Sequence, residues 1–81
     1  MVGFFWVIVM YFQRIGDLRV DHDLRQKDIA EILNLNTEVY RRYEKGEREI
    51  PAWALVKLAD YYNTSTDYLL GRTYDPKPPR A

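Results

Sequence analysis

Across residues 26–46 the apolar positions recur at helical spacing, break over three residues, and resume in a new phase. Ile29, Ala30 and Leu33 share one face of a first short helix, predicted over residues 26–33. Asn34, Leu35 and Asn36 make the break. Tyr40 and Tyr43 then mark the inner face of a second helix, which starts after Asn36 and ends before Gly46. These residues fall where two crossing helices need core contacts, and the small Ala30 lets the backbones approach closely. Leu35 is apolar inside a turn, which an ordinary surface loop has little reason to require. Asn34 tolerates a left-handed backbone. Asn36 is a good N-cap, Glu38 suits the positive end of the helix dipole, and Gly46 is a C-terminal stop.

The same pattern predicts three further helices. Phe12, Ile15 and Leu18 form a short stripe in a first helix over residues 12–22, with Leu24 in the loop after it. Arg14, Asp17, Arg19 and Asp21 occupy its other face and read as a solvated surface with weak pairs. His22 reads as a helix-end cation partner when protonated, not as a ligand or catalytic group. Leu55, Leu58, Ala59 and Tyr62 predict a fourth helix over residues 51–62, with Pro51 in its first turn. Trp53 lies off that stripe and reads either as surface scatter or as a contact for the N-terminal stretch or a partner subunit. A loop at residues 63–65 ends in an N-cap, and residues 66–70 make a short fifth helix closed by Gly71. Tyr68 and either Leu69 or Leu70 pack back on the core.

The arrangement resembles the helix-turn-helix of the phage-repressor family (Cro/repressor, or Xre-type). Gln26-Lys27-Asp28-Ile29-Ala30, Leu33-Asn34-Leu35-Asn36 and Arg42-Tyr43-Glu44-Lys45-Gly46 carry the resemblance. Leu55-Val56-Lys57-Leu58-Ala59 and Asp67-Tyr68-Leu69-Leu70-Gly71 continue it. The expected fold is all-α: a five-helix repressor-like helix-turn-helix domain over residues 10–71, with an apolar N-terminal extension and a disordered basic, proline-containing tail over residues 72–81.

The resemblance implies sequence-specific binding to double-stranded DNA by a transcriptional regulator, a repressor of phage, mobile-element or bacterial genes. The second helix of the motif would enter the major groove. Asn36, Thr37, Glu38 and Arg42 are the expected base readers. Arg42 suits a guanine edge, Thr37 a thymine methyl and Glu38 a cytosine amine. Gln26, Arg41, Lys45 and Arg25 are the expected phosphate contacts. For Arg41 and Arg42 the alternative is an exposed salt bridge to Glu38 or Glu44. Glu44 is expected to be scaffold. Arg25 and Lys45 depart from the family pattern, which favours serine or threonine at the first position and asparagine at the second. Arginine cannot accept the free N–H bonds of a helix start, a loss of about 1 kcal/mol. One such domain reads one half-site, so a homodimer on DNA is expected, although no coiled-coil heptad marks its interface.

Composition changes this picture in three places. The chain has 81 residues, enough for one small domain, and 47% are hydrophobic. It has no cysteine and one histidine. That removes disulfides and thiolate or histidine-clustered metal sites, and it fits a reducing cytoplasm. Twelve basic residues balance twelve acidic ones, so non-specific attraction to DNA is expected to be modest. The zero balance also suits a second reading: a protein-interaction module, such as an antitoxin or anti-repressor partner, with little operator binding. No cofactor, small-molecule ligand or enzymatic motif is evident.

Residues 1–12 are apolar and aromatic, and no charge precedes Arg14. The stretch is too short to span a membrane, which takes about 20 apolar residues, and it lacks the basic start and small-residue site of a signal peptide. Three readings stand for residues 1–9: an upstream extension of a chain naturally starting at Met10, a packing or dimer-contact segment, or a membrane-surface anchor. The last lacks a basic face and an amphipathic period.

Overall fold

The computed structural model describes residues 11–79. The readings of residues 1–9 and of the last two tail positions lie outside them. Five helices follow in chain order: α1 (Gln13–Asp21), α2 (Gln26–Ile32), α3 (Thr37–Lys45), α4 (Ala52–Tyr62) and α5 (Thr66–Leu69). The described residues contain no strand, in agreement with the all-α expectation.

Each helix contributes to one core. Ile15 from α1, Ile29 and Ala30 from α2 with Leu33 at its end, and Tyr40 from α3 are all buried. Leu58 and Leu69 close it from α4 and α5, and Ile50 from the loop before α4. Leu35 and Tyr43 pack half-buried against this cluster, which accounts for an apolar residue inside the turn. The turn itself depends on Asn34, which holds a left-handed backbone at φ 57°. Gly46 ends α3 at φ 76°, and a Cβ there would stand 3.0 Å from Tyr11 Cβ. Both its backbone conformation and its surroundings require glycine.

Two details of α4 depart from expectation. The buried face of α4 is Ala54, Leu58, Ala59 and Tyr62, with Leu55 only half-buried. The helix comes nearest the core at its small residue, and the larger leucine spreads along the flank. Pro51 is the N-cap of α4 rather than a first-turn residue, and there too its missing N–H lies outside the helical ladder.

Arg14 and Arg19 also depart from expectation, because neither belongs to a merely solvated face. Arg14 Nη1 donates to the carbonyls of Tyr68 (2.7 Å) and Thr73, and its guanidinium carbon lies 4.1 Å from the centre of the Tyr68 ring. Arg19 turns inward to α3. The start of the tail, expected to be disordered, is tied down at two points. One is the Arg14–Thr73 bond. The other is the buried Thr64, whose hydroxyl donates to the Pro76 carbonyl at 2.6 Å. Carbonyls of a proline-containing segment still accept hydrogen bonds, so low helical propensity does not prevent docking.

Candidate nucleic-acid interface

The residues singled out on α3 share one side of it. Thr37, Glu38, Arg41, Arg42 and Lys45 recur at i, i+1, i+4, i+5 and i+8, while Tyr40 and Tyr43 point to the core. Thr37, Glu38, Arg42 and Lys45 are exposed and Arg41 is half-buried. The helix start is well ordered: Asn36 Oδ1 accepts from the Glu38 backbone N–H at 2.7 Å. That bond engages the side-chain oxygen of Asn36, and its NH₂ makes no hydrogen bond among the described residues.

The two arginines on this face are paired within the chain. Arg41 donates to Glu38 through Nε (2.9 Å) and Nη2 (2.8 Å), and to Glu47 through Nη2 (3.2 Å). Arg42 Nε donates to the same Glu38 carboxylate at 3.1 Å. Of the alternatives read from sequence, the bridge to Glu38 is present, whereas Glu44 is engaged elsewhere. The bonds from Arg41, and next those from Arg42, hold the Glu38 carboxyl down at about 2. Its bonds to Glu38, and next those to Glu47, push the Arg41 guanidinium above its ordinary value. The pairing of Arg41 with Glu47 was not legible in advance, because Glu47 lies past the helix stop, where helical spacing no longer applies.

Beneath this face Glu44 joins three helices. Its Oε2 accepts from Arg19 Nε of α1 (2.7 Å) and from the Tyr40 hydroxyl of α3 (2.7 Å). Its Oε1 accepts from Arg19 Nη2 (3.0 Å) and from Gln26 Nε2 of α2 (3.0 Å). Burial works to raise the carboxyl, but the bonds from Arg19, Gln26 and Tyr40 outweigh it and hold Glu44 below the ordinary carboxylate range. Burial, followed by the bond to Glu44, pushes the Tyr40 hydroxyl up. Gln26 is thus fixed at the first position of α2 by one N–H, with its second N–H remaining to donate. Arg19 was missed as a positioning residue: it stands 25 residues before Glu44, and no local pattern links them.

Arg25, at the N-cap of α2, has no side chain to accept from the helix start, as expected for arginine. Asp28 compensates in part. Its carboxylate accepts from the Arg25 backbone N–H (2.8 Å) and from Nη2 (3.1 Å). The side-chain bond, then the backbone one, keeps Asp28 below its ordinary range. Arg25 therefore pairs within its own helix start, and no hydrogen bond or ion pair among the described residues joins it to the α3 group.

The helix-turn-helix family profile matches residues 15–69. The chain is 41% identical over 69 residues to the HTH-type transcriptional regulator YobD of Bacillus subtilis (strain 168), covering 85% of this chain and 62% of that protein. It is 38% identical over 60 residues to the regulator ImmR of the same organism, covering 74% and 47%. It is 36% identical over 53 residues to the cryptic phage CTXphi transcriptional repressor RstR of Vibrio cholerae, covering 65% and 48%. The chain thus spans roughly half to three fifths of the length of these relatives. No solved structure matches it.

Proposed function

The chain belongs to the helix-turn-helix family, and from that premise we propose that it is a sequence-specific DNA-binding transcriptional regulator, a repressor of phage, mobile-element or bacterial genes. One observation carries the reading: α3 presents an exposed face of Thr37, Glu38, Arg41, Arg42 and Lys45, beginning at a capped and ordered N-terminus. The names of the relatives, transcriptional regulators and a phage repressor, point the same way. They do not favour an antitoxin or anti-repressor role.

In this reading α3 enters the major groove, which admits a helix and displays a distinct donor and acceptor pattern for each base pair. Asn36 uses its NH₂, Thr37 its methyl and hydroxyl, Glu38 its carboxylate and Arg42 its guanidinium toward base edges. Gln26, Arg41, Lys45 and Arg25 hold phosphates and set the register. Glu44 acts through Gln26 by keeping one of its N–H groups aimed and the other free. Residues 10–71 form the binding unit, and two copies occupy half-sites about 10 base pairs apart. The role requires neither cofactor nor catalysis, and its setting is the cytoplasm.

Selection of bound duplexes from a randomised DNA pool, at near-physiological salt, tests this. Enrichment of an inverted repeat with that half-site spacing is the expected result. No enrichment from well-folded protein defeats it and turns attention to a protein partner.

A further inference from the structure

We propose that Glu38 is a carboxylate gate on the α3 face: it holds Arg41 and Arg42 in the free protein and releases them fully only to the right DNA sequence. The inference rests on the DNA-binding reading above and assigns Glu38 a specificity-determining role within it. Three bonds from two arginines converge on this one carboxylate, at 2.8, 2.9 and 3.1 Å. Glu47, from beyond the helix, takes further donors of Arg41. The side chains of Glu38 and Arg42 are about half exposed, at 50% and 45%, so a duplex can reach the cluster without any backbone movement.

The consequence is an exchange of partners. Any duplex offers phosphates to the two arginines, because phosphate is a bidentate acceptor like carboxylate. Taking them strips Glu38 of its donors and leaves a carboxylate among phosphates. Only a site that places a cytosine amine near Glu38 and a guanine edge near Arg42 gives every group a new partner. On other sequences the stranded carboxylate is a penalty, and discrimination arises from that penalty as much as from new contacts. A chain whose formal charge sums to zero begins with little general attraction to DNA, so the release of two arginines is a large part of what it has.

The test compares the full chain with Glu38→Gln, Glu47→Gln and Asp60→Asn. Asp60 is exposed on α4, outside the proposed interface, and controls for the change in net charge. Binding is measured by fluorescence anisotropy on a pool-selected duplex and on a scrambled duplex of the same composition, with circular dichroism confirming the fold of each variant. Glu38→Gln is expected to bind the scrambled duplex about threefold to tenfold more tightly than the parent, the scale of one or two exposed ion pairs. Its preference for the selected duplex narrows correspondingly. Glu47→Gln, which frees Arg41 alone, shifts in the same direction by less. Asp60→Asn shifts least.

Equal shifts for Glu38→Gln and Asp60→Asn overturn the gate and leave only net charge. Unchanged scrambled binding, with preference lost at one base pair, overturns it in favour of simple base reading. The scrambled-duplex comparison needs no operator. A pool without enrichment therefore defeats the regulator reading and with it the sequence discrimination assigned to Glu38, whereas an enriched pool with unshifted variants defeats the gate alone.

Discussion

Glu44 and Arg19 meet across the α1–α3 contact with two nitrogens on two oxygens, Nε to Oε2 at 2.7 Å and Nη2 to Oε1 at 3.0 Å. Their side chains are only 10% and 18% exposed. Tyr40 and Gln26 donate to Glu44 as well, and the Leu24 carbonyl accepts from Arg19 Nη1, so removing either member strands a desolvated charge. Glu44→Ala is expected to lower the unfolding free energy by about 3 kcal/mol, measured by urea denaturation. Arg19→Met should cost nearly as much. The double variant should cost less than the sum, since each single change already breaks the shared bonds.

The same carboxylate sets a pH dependence. The folded pKa of Glu44 lies below its unfolded value of 4.5. Its stabilising contribution is therefore present above pH 4.5 and is lost as pH falls through the folded value. Glu38, held down at about 2, adds to the same slope from an exposed site and should do so less as salt rises. Urea midpoints measured between neutral pH and pH 3 should fall on the acid side, and Glu44→Gln should flatten that fall.

Tyr62 is buried, at 8% exposure, yet its hydroxyl has no hydrogen-bond partner among the described residues. Burial pushes that hydroxyl above the ordinary tyrosine range. The ring is well placed, 5.0 Å from His22 and 5.2 Å from Tyr61 between centroids. Tyr62→Phe keeps the ring and removes the orphan group, so it should stabilise the fold by about 1 kcal/mol. A rise in the thermal midpoint checks this, and a fall would mean that the hydroxyl has a partner.

The N-cap of α2 can be improved. Arg25→Ser supplies the missing acceptor, worth about 1 kcal/mol, and leaves the Asp28 bond to the residue 25 backbone in place. The exposed Arg25–Asp28 side-chain pair is lost, which in water costs less than the cap gains. A net gain in the urea midpoint is the expected outcome.

On DNA, Arg42→Ala should cost about 1–3 kcal/mol and relax preference at a single base pair. Anisotropy against the selected duplex and its single-position variants separates the two roles. A uniform loss over all sequences would make Arg42 a phosphate contact instead.

Local chemistry made much of this protein legible in its residues. Ile29, Ala30 and Leu33 face the core because helical spacing admits few other placements, and Asn34 and Gly46 adopt left-handed backbones because few residues can. Asn36 caps α3 for the same kind of reason: its acceptor lies within reach of an N–H two residues on. The outward side of α3 also follows from spacing, which groups Thr37, Glu38, Arg41, Arg42 and Lys45 from the sequence alone.

What only the tertiary structure decided is how distant charges are partnered. Arg19 and Glu44 are 25 residues apart and Arg14 and Thr73 are 59 apart, and neither pairing leaves a periodic trace in the chain. Arg14 and Arg19 read as surface because their own helix places them off its apolar stripe. They are inward because α3 and α5 pack against that same face of α1 and bring acceptors to it. An apolar side chain is largely committed by its spacing, since a core will bury it, although on α4 packing buried Ala54 in place of the predicted Leu55. A charged one goes wherever the fold supplies an opposite charge or a carbonyl, and that becomes determined only when the helices are assembled.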